Sequence, residues 1–173
     1  MRKIILGLAI SLDGFIEGPN GEFDWCFTDQ DYGMSEFFTH VDSLFIGRKT
    51  YELMQAMGEN ASPGFPKMKE YIFSNSLKEV KPGAILVNSD AAEAARKIRQ
   101  EPGKDIWLFG GASLTAYFLE HGLIDHLWLS VHPILFGTGK RLFPESEHRT
   151  QLQLTEAKTY NTGLVSLKYD LKK

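Results

Sequence analysis

The sequence contains a single cysteine, Cys26, so no intramolecular disulfide can form and a reducing compartment is the simplest setting. Charge of one sign is also missing. Nineteen Lys and Arg face twenty-two Asp and Glu, a formal net charge of −3. That balance leaves no broad electrostatic footprint for nucleic acid or an anionic membrane surface. No apolar run is long enough to cross a bilayer. The run Ile4 to Ile10 leads into Ser11-Leu12-Asp13-Gly14 with no small-x-small cleavage site, so it reads as a buried strand rather than a signal sequence. A soluble cytoplasmic protein is the expectation.

Several chemistries lack their residues. Gly137-Thr138-Gly139-Lys140-Arg141-Leu142 has neither the third glycine of a dinucleotide fingerprint nor the flanking residues of a P-loop. The five histidines, at 40, 121, 126, 132 and 148, show no metal-ligand spacing. His126 and His132, on one strand face by parity, would stand ~20 Å apart at about 3.3 Å per residue. No metal site is expected. No Gly-x-Ser-x-Gly elbow occurs, and Cys26 has no histidine beside it in sequence, which argues against a nucleophilic hydrolase.

What is present is a globular composition, 43% hydrophobic and 24% charged over 173 residues, which suits one domain with its own core. Apolar runs at Ile4–Ile10, Ser43–Gly47, Tyr71–Ser74, Ala84–Val87 and Ile106–Phe109 read as buried strands. Helices are expected over 31–41, after Gly47, after Asp90 and after Gly111. Asp90 and Glu93 form a capping box, Ala91, Ala94, Ala95 and Ile98 face inward, and Pro102-Gly103 follows the end. The helix after Gly111 buries Leu114, Tyr117, Phe118 and Leu119 and stops near Gly122. His126–Leu135, Leu152–Ala157 and Leu164–Leu171 alternate, with Asn161-Thr162-Gly163 turning the last pair into a hairpin. The expectation is an α/β fold whose mostly parallel sheet ends in an antiparallel C-terminal hairpin.

Two strand-to-helix turns carry candidate chemistry. Phe109-Gly110-Gly111-Ala112-Ser113-Leu114 brings an apolar strand through two glycines into a helix, where unpaired N–H groups and the helix dipole favour an anion such as phosphate. A tight turn with no ligand is the plain alternative. Gly47-Arg48-Lys49-Thr50 places two cations at a helix N-terminus, against the dipole, which an anion would resolve. Both side chains reaching into solvent is the alternative there. Among the acids, Asp29 or Asp31 can cap the helix over 31–41. A carboxylate walled by Trp25, Phe27 and Tyr32 could instead carry a raised pKa and deliver a proton.

Four motifs then fall in order: Ala9-Ile10-Ser11-Leu12-Asp13-Gly14-Phe15-Ile16, Gly47-Arg48-Lys49-Thr50-Tyr51-Glu52, Phe109-Gly110-Gly111-Ala112 and Pro133 to Phe143. Together they resemble the dihydrofolate reductase superfamily, most closely the reductase domain of the bifunctional riboflavin-biosynthesis protein, over essentially residues 1–173. The resemblance implies a three-layer fold of about eight mostly parallel strands with helices on both faces. It implies NADPH lying across the strand C-terminal ends. Ala9 and Ile16 then border the nicotinamide, and Gly47, Arg48, Lys49 and Thr50 hold the pyrophosphate and 2′-phosphate. Ser74 and Asn75 meet the adenosine ribose. Gly110, Gly111, Ala112, Ser113 and Leu114 form the turn against the pyrophosphate, with a cis Gly110–Gly111 peptide. Asp31 matches the catalytic carboxylate position of dihydrofolate reductases, and Asp13 is a comparable candidate for substrate contact.

The implied activity is hydride transfer from NADPH to a small heterocycle, as in reduction of 5-amino-6-(5-phosphoribosylamino)uracil. Dihydrofolate or pterin reduction is the alternative within that class. A nucleotide-binding module without turnover and a protein-interaction domain without ligand are the alternatives outside it. Relatives of this kind pair through strands, so a homodimer is expected, with His126-Leu127-Trp128-Leu129 offering apolar area that one subunit would leave uncovered.

Overall fold

The computed structural model describes residues 1–58, 64–147 and 149–172; His148 lies outside the described residues. Ten strands and four helices appear among them. The sheet starts with β1 (Ile4–Ser11), and β3 (Val41–Gly47), β4 (Lys69–Phe73), β5 (Ile85–Val87), β6 (Asp105–Gly110) and β7 (His126–His132) run parallel to it. Then β10 (Val165–Leu171) pairs antiparallel with β7, and β9 (Leu152–Thr159) pairs antiparallel with β10. The eight-stranded order is β5-β4-β3-β6-β1-β7-β10-β9. This is the mostly parallel sheet with an antiparallel hairpin that the sequence predicts.

The consecutive apolar runs have a direct cause. A strand covered on both faces sends alternate residues to opposite cores. Ile4 and Leu6, Phe45, and Ile106 and Leu108 enter one core, with α3 (Ala91–Ile98) and α4 (Ala112–Glu120). Ile5, Leu44, Ile46 and Trp107 enter the other, with α1 (Met34–His40) and α2 (Arg48–Met57). Three layers result. Within α3, the Asp90 carboxylate accepts from the Glu93 N–H at 2.7 Å, as the capping box requires.

Boundaries differ from expectation where a local residue decides them. β7 stops at His132 rather than Leu135 because Pro133 cannot donate to a ladder. α1 begins at Met34 rather than residue 31, since Tyr32 and Gly33 hold positive φ of 49° and 86°. A small sheet pairs β2 (Phe15–Glu17) with β8 (Lys140–Arg141), which no sequence pattern announced. The expectation of uncovered apolar area at 126–129 is corrected. β7 lies inside the sheet, so Leu127 and Leu129 are buried in the subunit's own core. Trp128 is half-buried between the Phe37 ring and the Lys168 ammonium, whose Nζ stands 3.7 Å from the ring centroid.

At the N-terminal end of the parallel strands, Arg99 bonds Asp125 at 2.6 Å and the Arg2 carbonyl at 3.2 Å, while Arg2 pairs with Asp42. The buried Arg99–Asp125 pair and the half-exposed Arg2–Asp42 pair lock that edge. The opposite edge, at the strand C-terminal ends, is left to glycine turns and loops. Among the described residues no helix is long and apolar enough to cross a membrane.

Candidate active site

Ligands in open α/β sheets bind at the carboxyl ends of the parallel strands. Two cavities open there, of about 780 and about 790 Å³. They share Thr50 and Gly111 and so adjoin there, the two ends of one cleft region.

The second cavity is polar and flanked by helix starts. α2 follows Gly47 and α4 follows Gly111, and neither N-terminus has a side-chain cap or an acidic residue in its first turn. Their N–H groups are therefore available to an anion. Arg48, Lys49 and Lys140 line the same cavity. Arg48 reaches forward to Glu52, with both oxygens at 2.9 Å, which relieves part of its conflict with the helix dipole. Ser74 and Asn75 also line it; the Ser74 hydroxyl accepts from the Leu77 N–H at 3.0 Å and so shapes the turn there.

The two glycine turns touch. A Cβ on Gly47 would stand 3.4 Å from the Gly111 nitrogen, and one on Gly111 would stand 3.2 Å from Thr50 Oγ1. The Gly110–Gly111 peptide is cis, and Gly110 has a φ of 126° that favours glycine. Close approach of the two turns leaves a slot of bare backbone at the junction. Ala112, Ser113 and Leu114 continue its wall, and Ala9, Ile16 and Gly110 line the first cavity just beyond it. All thirteen residues that the resemblance implied for the cofactor thus line this one cleft. Its polar end has the donors and cations for a dinucleotide phosphate, so the residues present fit NADP(H).

The first cavity is apolar and aromatic. Phe27, Tyr32, Phe37, Phe38, Phe65, Trp107 and Trp128 stand around it, with Met34, Leu53, Met54 and Met57. Trp25, expected as a wall, packs instead against His132 and Phe136 at 5.1 and 5.4 Å. The segment before α1 is pinned over the cavity by His132. Its Nδ1 donates to the Ser130 carbonyl at 2.9 Å, and its Nε2 accepts from the Phe27 N–H at 3.1 Å. That pairing requires the neutral ring, and burial holds its pKa below the usual 6.5. Nearby, Cys26 also lines the cavity, and burial together with Asp24 raises its thiol to about 11.

The two acids take different tasks. Asp31 lies on the rim of the aromatic cavity. Its carboxylate accepts from the Ser35 hydroxyl at 2.8 Å and the Ser35 N–H at 2.9 Å, capping α1 from two residues before Gly33. These bonds hold it below the usual 3.8, so it is ionised at neutral pH; the raised pKa of a proton donor is not its state. Asp13 lines neither cavity. Partial burial works to raise its pKa, but bonds from the Ser11 hydroxyl (2.7 Å) and the Gly137 (2.7 Å) and Phe136 N–H groups outweigh it. It clamps the loop after β7. Lys140 was not singled out from the sequence as a ligand. Its Nζ bonds Glu17 at 3.2 Å across the small β2–β8 sheet, a pairing with no local signature.

Residues 2–166 match the RibD C-terminal domain. The chain belongs to the RibD C-terminal domain family. A curated relative, the uncharacterized protein YyaP of Bacillus subtilis (strain 168), is 41% identical and covers 97% of this chain and 94% of its own. Among solved structures, a provisionally named riboflavin biosynthesis protein from Shewanella sp. PV-4 superposes with a TM-score of 0.84 at 25% identity, covering both chains completely. Dihydrofolate reductase from Enterococcus faecalis, solved with NADP(H), gives a TM-score of 0.71 at 17% identity over 99% of this chain and 97% of that one. The latter likeness is one of fold alone. RibD C-terminal domain architecture and a dihydrofolate reductase-like fold therefore hold for this protein.

Proposed function

We propose that this protein is an NADPH-dependent reductase that passes a hydride to a C=N or C=O carbon of a small heterocycle. One observation carries the reading. A single cleft joins a cation-lined end, fed by two uncapped helix N-termini, to an aromatic end that can hold two flat rings face to face. When bound, the nicotinamide supplies the hydride. The chain's contribution is orientation and exclusion of water, effects worth several kcal/mol when two reactants are held in a near-attack geometry.

Gly47, Thr50 and the turn at Gly110 and Gly111 hold the pyrophosphate through backbone N–H groups, and Arg48 and Lys49 face the 2′-phosphate. Ser113 and Leu114 continue the helix start, and Ser74 and Asn75 border the adenosine ribose. Ala9 and Ile16 flank the nicotinamide. Asp31, ionised, accepts from a substrate N–H at the rim, and the proton that completes reduction comes from water. Reduction of 5-amino-6-(5-phosphoribosylamino)uracil or of a pterin are both reactions of this class. The reading includes a homodimer formed through the edge strand β9, all eight of whose residues are exposed.

Gly111→Ala tests it. The φ of −94° accepts a side chain, but the new methyl group enters the slot beside Thr50. Fluorescence titration is expected to show at least ~10-fold weaker NADPH binding with an unchanged melting temperature. Equal affinity in the variant would place the nucleotide elsewhere.

A further inference from the structure

Charge divides sharply along the cleft, and the division bears on the substrate. Resting on the reductase reading above, we propose that the aromatic end selects an unphosphorylated planar heterocycle, neutral or cationic, and rejects the phosphorylated form of the same ring.

The argument begins with which side chains face each end. Arg48, Lys49 and Lys140 all line the polar cavity. Among the described residues no lysine or arginine lines the aromatic one, and residues 59–63 contain neither. Among the described residues its carboxylates are Glu17 and Asp31, with His132 held neutral between Ser130 and Phe27. Asp31 stays anionic because Ser35 binds its charged form. Lys158 acts on Asp31 through space, but it lines neither cavity and sits over the Tyr160 ring. Lys140 is already paired with Glu17.

A phosphate entering this end would exchange water for aromatic rings and methionines, and the Lys140 ammonium at the junction is already paired to Glu17. An unpaired buried charge is among the costliest arrangements a protein can hold. The Asp31 carboxylate at the rim adds repulsion, while Glu17 is balanced by its pair with Lys140. The same features favour a flat ring with N–H donors. Its faces meet Phe27 and Phe38, and an N–H or protonated ring nitrogen meets Asp31. Discrimination of this kind works by what the site lacks as much as by what it offers.

A matched pair isolates the phosphate: 5-amino-6-(5-phosphoribosylamino)uracil and the same compound without its phosphate group. Each is titrated by calorimetry into protein saturated with NADP+, after NADPH binding itself has been measured. The expected result is at least ~10-fold tighter binding of the unphosphorylated compound, the smallest factor a stranded charge would give. Thr28→Arg adds a cation to the exposed wall of the aromatic end, and is expected to bring the phosphorylated compound to within a few-fold of its partner. Equal or tighter binding of the phosphorylated compound to the wild type overturns the proposal, and so does binding of neither. An unchanged preference in Thr28→Arg overturns the assignment of selectivity to wall charge. Failure of NADPH to bind would instead overturn the reductase reading beneath it.

Discussion

His132 shows how one side chain shapes the cleft. Both ring nitrogens are committed, one to Ser130 on its own strand and one to Phe27 in the segment before α1. Protonation would set an N–H against the Phe27 N–H and strand it, at about 1–3 kcal/mol. The folded pKa lies below the unfolded value near 6.5, so the stability is full above that value and is lost as pH falls through the folded one. Melting temperature is therefore expected to drop by several degrees between about pH 7.5 and about pH 5.5. In His132→Gln, whose amide oxygen still accepts from Phe27, that drop should shrink. A wild-type melting curve flat across this range would remove His132 from the account. The sequence excluded a metal role for this residue but could not reveal the pin, because Phe27 and His132 are 105 residues apart. Asp31 and Asp13 illustrate the same limit. Their candidacy came from position in the chain, whereas their tasks are set by Ser35 in one case and by backbone N–H groups after β7 in the other.

At the scale of elements, legibility followed burial. The parallel strands and α3 could be read because a two-sided core forces unbroken apolar runs and because Asp90 and Glu93 make a local cap. The β2–β8 pair could not, being three and two residues long and joined across the whole chain. The dimer expectation moved from one element to another for a physical reason. β7 has neighbours on both sides, while β9 exposes its outer edge and keeps Leu152 and Leu154 in solvent, at 41% and 53%. An open edge with apolar residues is a ready surface for strand pairing. Light scattering at micromolar concentration is expected to report a dimer, and Leu154→Lys a monomer with an undiminished melting temperature. A wild-type monomer at that concentration removes the dimer from the proposal.

At the scale of the molecule, the fold divides its labour between two ends. Arg2, Arg99 and Asp125 lock the N-terminal edge of the parallel strands, and truncating Asp125 would leave the buried Arg99 guanidinium without its carboxylate. The C-terminal edge is built from glycine turns and a pinned loop, and gathers a polar and an aromatic cavity into one cleft. The four ordered motifs pointed to its polar end from sequence, since close backbone approach demands glycine and an anion site demands uncapped helix starts. Of the aromatic end only Phe27 and Tyr32 were legible, because the other rings come from α1, β6, β7 and the segments before α1 and after α2. NADPH is proposed to bind this cleft through its 2′-phosphate, so calorimetric titrations with NADPH and, separately, NADH should give different affinities. The account predicts NADPH binding that weakens about ten- to a hundred-fold with NADH, the worth of one charge-assisted contact. Binding of neither nucleotide would contradict it.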